Sequence, residues 1–141
     1  MTSVAELGPD HAEAAVALWV VAELTRPWND PHTDFARAVA GPASAVLGLL
    51  DGGARIGTAM VGHDGHRGAV YYLAVASSRR GQGLGRELMA ACEDWLREQG
   101  VAKLNIMIRA DNSAVQGFYE AVGYRTEDRL VLSSRLDGRQ S

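Results

Sequence analysis

The sequence of 141 residues holds a single cysteine, Cys92, and a single lysine, Lys103. A lone cysteine forms no internal disulfide, which fits a reducing compartment, most simply a cytoplasm. One lysine beside thirteen arginines, with a net charge of −3, leaves no basic surplus of the kind that coats nucleic acid. No apolar run approaches the roughly 20 residues of a membrane-spanning helix. Met1 to Leu7 carries neither a basic stretch nor a long apolar run, so no export signal is expected. Prolines number four, and no Pro/Ser-rich linker, internal repeat or low-complexity tract divides the chain.

What remains is ordinary globular composition, 47% hydrophobic and 22% charged. One domain over residues 1–141 is expected, ordered from about 4 to 135. A chain this long removes roughly two-thirds of its unfolded surface from water, enough for a core without staples.

Periodicity orders the elements. Val4 to Leu7 reads as a strand ended by Gly8-Pro9. Asp10 with Glu13 forms a capping box for a helix toward Leu24, with Ala15, Leu18, Trp19 and Ala22 inward. Arg26 to Pro31 breaks the helix, and a second helix covers Asp34 to Ala40. Ala45 to Leu50 and Arg55 to Val61 flank the Asp51-Gly52-Gly53 turn as a hairpin. After the Gly62 to Gly68 turn, Ala69 to Val75 is apolar on both faces and reads as a central strand. Leu84, Leu88, Ala91, Cys92, Trp95 and Leu96 space as a helix over Gly83 to Gln99, closed by Gly100. Val101 to Arg109 alternates, Asp111-Asn112 caps a helix through Val122, and Tyr124 and Arg129 to Arg135 supply closing strands. The order β-α-α-β-β-β-α-β-α-β-β predicts an α/β fold, a mixed sheet with helices on both faces.

The most informative segment joins the central strand to the long helix. Gly81-Gln82-Gly83-Leu84-Gly85 places three glycines in five residues, and Arg79, Arg80 and Arg86 lie within eight. Glycine lets backbone approach a ligand closely, and the free N–H groups of a first helical turn favour an anion of about pyrophosphate size. A P-loop is excluded because Arg86-Glu87 follows Gly85 where Lys-Ser/Thr is required. A dinucleotide fold is excluded because the turn follows the fourth strand, with Asn105 and Met107 where an acid belongs.

Arg80-x-x-Gly83-x-Gly85 after Leu73-Ala74-Val75 resembles the acyl-CoA motif of the GCN5-related N-acetyltransferases. A second signature stands at the matching separation: Asn112-Ser113-Ala114 opening a helix, Phe118-Tyr119, then Gly123-Tyr124. The likeness runs from about Val4 to Arg135. Ser77 replaces a proline common in the family, which changes only the stiffness of the turn. Arg26 to Pro31 and the Asp64-Gly65-His66-Arg67 turn are similar to a small bacterial branch.

The resemblance implies a single-domain sheet splayed between strands four and five, with acetyl-CoA as co-substrate. It implies cofactor contacts at Leu73, Ala74, Val75, Arg80, Gly81, Gln82, Gly83, Leu84, Gly85, Arg86 and Asn112. Leu73 and Val75 act through backbone amides, and Asn112 contacts the pantetheine arm, caps its helix, or does both. Tyr119 is the implied general acid for the departing thiolate. Trp28, Asn29 and Asp30 occupy the substrate wall, and each also has a plain structural use in a core edge or helix start. Glu23, Asp30, Asp64, His63 and His66 are the general-base candidates, all of which also suit surface or turn positions. Tyr71 and Tyr72 suit sheet packing, and one of them also suits the acceptor pocket.

His63-x-x-His66 with the distant Cys92 makes no zinc set, so no metal is expected. The expected reaction is acetyl transfer to a small-molecule or peptide amine by direct attack in a ternary complex. The alternative is a non-catalytic acyl-CoA sensor. No nucleic-acid or membrane partner is expected, and pairing of Arg129 to Arg135 between subunits would give a homodimer.

Overall fold

The structure is a computed structural model, and it describes residues 1–140. Residues 1–106 form one compact unit, and a second begins at Met107.

The first unit is built on five strands in chain order: β1 (Thr2–Glu6), β2 (Ser44–Asp51), β3 (Ala54–His63), β4 (Gly68–Val75) and β5 (Leu104–Asn105). β1 to β4 pair antiparallel, while β5 pairs parallel with β4. The mixed α/β class expected from the periodicity is the one observed.

Two helices connect β1 to β2: α1 (Ala12–Val21) and α2 (Pro31–Ala40). Asp30 starts α2 because its carboxylate accepts the N–H groups of His32 and Thr33, and Pro31 at the first position needs no donor. The helix therefore begins three residues earlier than the Asp34 expected. The Asp10/Glu13 capping box does not form. Pro9–His11 makes a short 3-10 turn instead, in which the His11 ring accepts the Gly8 N–H at 3.1 Å. That turn takes up Asp10 and leaves Glu13 within the first turn of α1.

The core beneath α1 and α2 gathers Leu7, Ala15, Val16, Trp19, Phe35, Ala38, Val46 and Ala74. Trp19 and Thr58 are both fully buried, and the indole N–H donates to the Thr58 hydroxyl at 2.7 Å. Alternation along the strands turns the neighbouring residues to the other face, where α3 (Leu84–Glu98) buries Leu84, Leu88, Met89, Cys92 and Leu96. α3 lies close enough that a Cβ on Gly68 would stand 2.6 Å from Leu96.

β4 carries the irregularity that matters most. Thr58 faces Ala74 and Met60 faces Tyr71, so Tyr72 and Leu73 together stand opposite Ala59. This bulge puts Tyr72 at φ +53, a left-handed conformation that a bulky residue adopts only under constraint. β5 pairs with β4 only at Gly68 and Ala69, before the bulge. Beyond Ala69 the two strands part.

Two expectations are corrected. Val101 to Arg109 is strand only at Leu104–Asn105, because a ladder needs a neighbour and β4 departs after two pairs. Tyr124 and Arg129 to Arg135 form no strand among the described residues. A two-residue β5 offers too short an edge to build on, and Leu130, Val131 and Leu132 lie exposed.

In the second unit, α4 (Ser113–Ala121) begins at Asn112, whose side chain accepts the Val115 N–H at 3.1 Å. Tyr119 is nearly buried, with its ring edge-on to Phe118 and Tyr124.

Candidate active site

The glycine turn opens as its sequence requires. Ser77–Arg79 is a single 3-10 turn, Gly81 has φ +81, and Gly83 precedes α3 at φ +75. Both glycines adopt the left-handed region that L side chains resist. Open space lies where either Cβ would project, and Gly83 provides no side-chain cap. The first-turn amides of a 15-residue helix therefore stand ready for an anion.

Arg80 and Arg86 lie at this opening and are exposed. Arg79 is committed elsewhere, donating to Asp51 at 2.6 Å and to the Gln82 side chain at 3.2 Å. That pair also holds Asp51 well below the usual carboxylate range, with the N-terminal amine contributing. Diphosphate of coenzyme A size and charge fits this turn: exposed amides, left-handed glycines without side chains, and Arg80 beside them.

Upstream, the direction of the β4 backbone is set by its pairing. Ala76 N–H donates to Ile56 O at 2.8 Å, which makes Val75 and Gly57 a pair without hydrogen bonds between them. In such a pair the amide faces away from the partner strand. The Val75 N–H therefore points to the side on which β5 has departed.

The other end of β4 borders a cavity of about 850 Å³, lined from α2, β3, β4 and the loops beside them. Its polar lining includes Asn29, Asp34, Arg37, Arg67 and Tyr71. The Tyr72 hydroxyl, also on the lining, donates to Asp34 Oδ2 at 2.7 Å. The Tyr72 ring stacks on Trp19 with centroids 4.0 Å apart. Burial first, and then the Asp34 carboxylate, push the Tyr72 phenol well above its ordinary value.

The candidates from the sequence fall in different places. Asn29 lines the cavity, whereas Asp30 spends its carboxylate on capping α2 and Trp28 is half-buried outside the lining. Asp64 lines the cavity, but one of its oxygens accepts the His66 and Arg67 amides at 2.8 Å each. Backbone bonds hold both Asp30 and Asp64 below the usual carboxylate range, which makes them poor proton acceptors. His63 accepts the Gly65 N–H and lies beside Trp95. His66 and Glu23 are exposed and outside the cavity lining. Cys92 is fully buried on α3, and burial pushes its thiol up to about 12.

Asp34 was absent from the base candidates, and Arg37 from every candidate set. The signal for Asp34 was its place one turn after the Asp30 cap. That spacing shows its helix face but not the tyrosine that meets it.

A family model described as Acetyltransferase (GNAT) family matches residues 12–124. A Yersinia pestis (strain Pestoides F) protein named Acetyltransferase is 42% identical over 127 residues, covering 90% of each chain. The structure of AAC(6')-Iy in complex with the bisubstrate analog CoA-S-monomethyl-acetylneamine superposes with a TM-score of 0.80 at 18% identity, covering 96% of this chain and 98% of that one. A ribosomal-protein-alanine N-acetyltransferase from Brucella melitensis biovar Abortus 2308 gives 0.75 at 18% identity, covering 96% and 99%. The mixed sheet, the glycine turn before α3 and these matches define an acetyltransferase fold. The chain belongs to the GNAT family of acetyltransferases.

Proposed function

We propose that the chain transfers an acetyl group from acetyl-CoA to an amine, which attacks directly while both are held together. The observation that carries this reading is the continuity of β4. One end of the strand lines the cavity that holds Asp34, and the other runs into the glycine turn. From Tyr72 to Val75 the strand spans about 10 Å, so one element serves both partners.

Acetyl-CoA supplies a thioester, a carbonyl carbon activated toward amines. The amides from Gly81 to Arg86 and the Arg80 guanidinium bind its diphosphate, with Gln82 and Leu84 completing the turn. The backbone of Leu73, Ala74 and Val75 orients the acyl arm, and the family resemblance adds Asn112 to that role. An amide such as that of Val75, aimed at the developing oxyanion, contributes on the order of 3 kcal/mol. Asn29 and Asp34 face the acceptor, while Trp28 and the Asp30 cap hold the loop that carries Asn29.

The C–N bond forms as the C–S bond breaks. The alkylammonium releases one proton before attack and a second as the amide forms. One of these equivalents returns to the thiolate through Tyr119, and the other leaves to solvent. Free thiol and phenol have pKa values of about 8.5 and 10, so this donation is mildly uphill and depends on proximity.

The test is thiol release with acetyl-CoA over a broad amine panel, alongside calorimetry with coenzyme A. Tyr119→Phe is expected to lower kcat by about 10²-fold or more while leaving coenzyme A affinity intact. An unchanged kcat removes Tyr119 from the mechanism. Coenzyme A binding without thiol release from any amine favours the sensor reading.

A further inference from the structure

The acceptor cavity carries both signs of charge in equal number. Asp34 and Asp64 are its acids, and Arg37 and Arg67 its permanent bases. Asp64 is occupied by the turn it closes, which leaves Asp34 as the carboxylate for a ligand. Its Oδ2 accepts from Tyr72, and among the described residues its Oδ1 accepts no hydrogen bond. Tyr72 holds the carboxylate through one oxygen and leaves the other unshared.

Arg37 lies one turn further along α2 and does not pair with Asp34. Among the described residues its guanidinium takes part in no ion pair. Arg67 comes from the β3–β4 turn and spends one nitrogen on the His66 carbonyl at 3.3 Å. A guanidinium has five donors in a planar fork suited to a carboxylate. Leu24, Met60 and Pro42 add an apolar wall.

We propose that the acceptor is a zwitterion of amino-acid type: its ammonium is received by Asp34, its carboxylate by Arg37 and Arg67, and its apolar side chain by the Leu24–Met60 wall. The assignment rests on acetyl transfer as proposed above and adds the acceptor class. A polycation would meet two guanidiniums in the same cavity, and like charges in a partly desolvated site repel. A simple alkylamine would leave both arginines unanswered.

The experiment compares matched acceptors with and without a carboxylate: L-phenylalanine against 2-phenylethylamine, and L-lysine against cadaverine. Thiol release gives kcat/KM for each, in the wild type and in Arg37→Gln. Hydrogen bonds to a charged group predict a preference of about tenfold or more for the amino acid in at least one pair. Arg37→Gln is expected to lower that preference mainly by raising KM for the amino acid, with no loss on the decarboxylated member, which gains from the removal of a like charge. A wild-type preference for the decarboxylated members overturns the assignment. An equal loss on both members in Arg37→Gln also overturns it, since that reads as a structural role. Turnover of neither member in any pair, with coenzyme A binding intact, overturns the acceptor class alone. Absence of coenzyme A binding overturns the acetyl-transfer reading beneath it.

Discussion

Tyr72 lies flat on Trp19, the ring planes within 9° of parallel and the centroids 4.0 Å apart. The stack ties the cavity to the core. Trp19 is fully buried and anchored by Thr58 on β3, while Tyr72 sits on the β4 bulge and holds Asp34 on α2. Four elements, α1, α2, β3 and β4, thus converge on one aromatic pair.

Removing the Tyr72 hydroxyl tests that convergence. Tyr72→Phe keeps the stack and frees Asp34, and it is expected to cost about 1 kcal/mol of stability. It is also expected to raise KM for the amine more than it lowers kcat. The same residue predicts a pH effect. A phenol raised in the folded state keeps a proton that the unfolded chain loses above pH 10. Its contribution is therefore complete below pH 10 and declines as pH rises toward the folded value. Ultraviolet titration of the folded protein is expected to lose one late phenolate transition in Tyr72→Phe.

Thr58→Val leaves the Trp19 N–H buried without its acceptor. A loss of about 1–3 kcal/mol is expected in denaturant unfolding. Turnover per folded molecule is expected to change little, because Thr58 is not on the cavity lining.

Gly83→Ala places a methyl group at φ +75, where only strain accommodates it. Open space surrounds the position, so the penalty is conformational and falls on the amides proposed to bind the diphosphate. A cost of about 1 kcal/mol is expected, with coenzyme A affinity weakened in calorimetry beyond what the stability change explains.

Asp30 separates a helix cap from a substrate contact. Its carboxyl is held low by the amides of Thr33 and His32, so the stabilisation is present at neutral pH and is lost as pH falls through the folded value. Asp30→Asn retains a capping oxygen and is expected to lose only the charge-assisted part of that stability while keeping KM, whereas Asp30→Ala lowers the thermal midpoint further. A rise in the acceptor's KM in Asp30→Asn would place the carboxylate itself on the substrate.

What the sequence determined by itself was whatever a few adjacent residues decide. Glycines between a buried strand and an amphipathic helix dictate the turn, because φ > 0 and close backbone approach are local demands. Asn112 and Gly100 mark helix ends for the same reason, and together the two motifs named the family. Alternation along Val101 to Arg109, at Tyr124 and at Arg129 to Arg135 signals strand propensity but not a partner, so among the described residues only the short β5 forms there. The family motifs already implied that strands four and five part, as they do; only the tertiary structure decided that β5 releases β4 directly after Ala69. It alone also brought Asp34, Arg37, Arg67 and Tyr72 around one cavity. Those residues come from a helix, a turn and a bulged strand, and their meeting depends on sheet register and helix packing, which no short stretch of chain encodes.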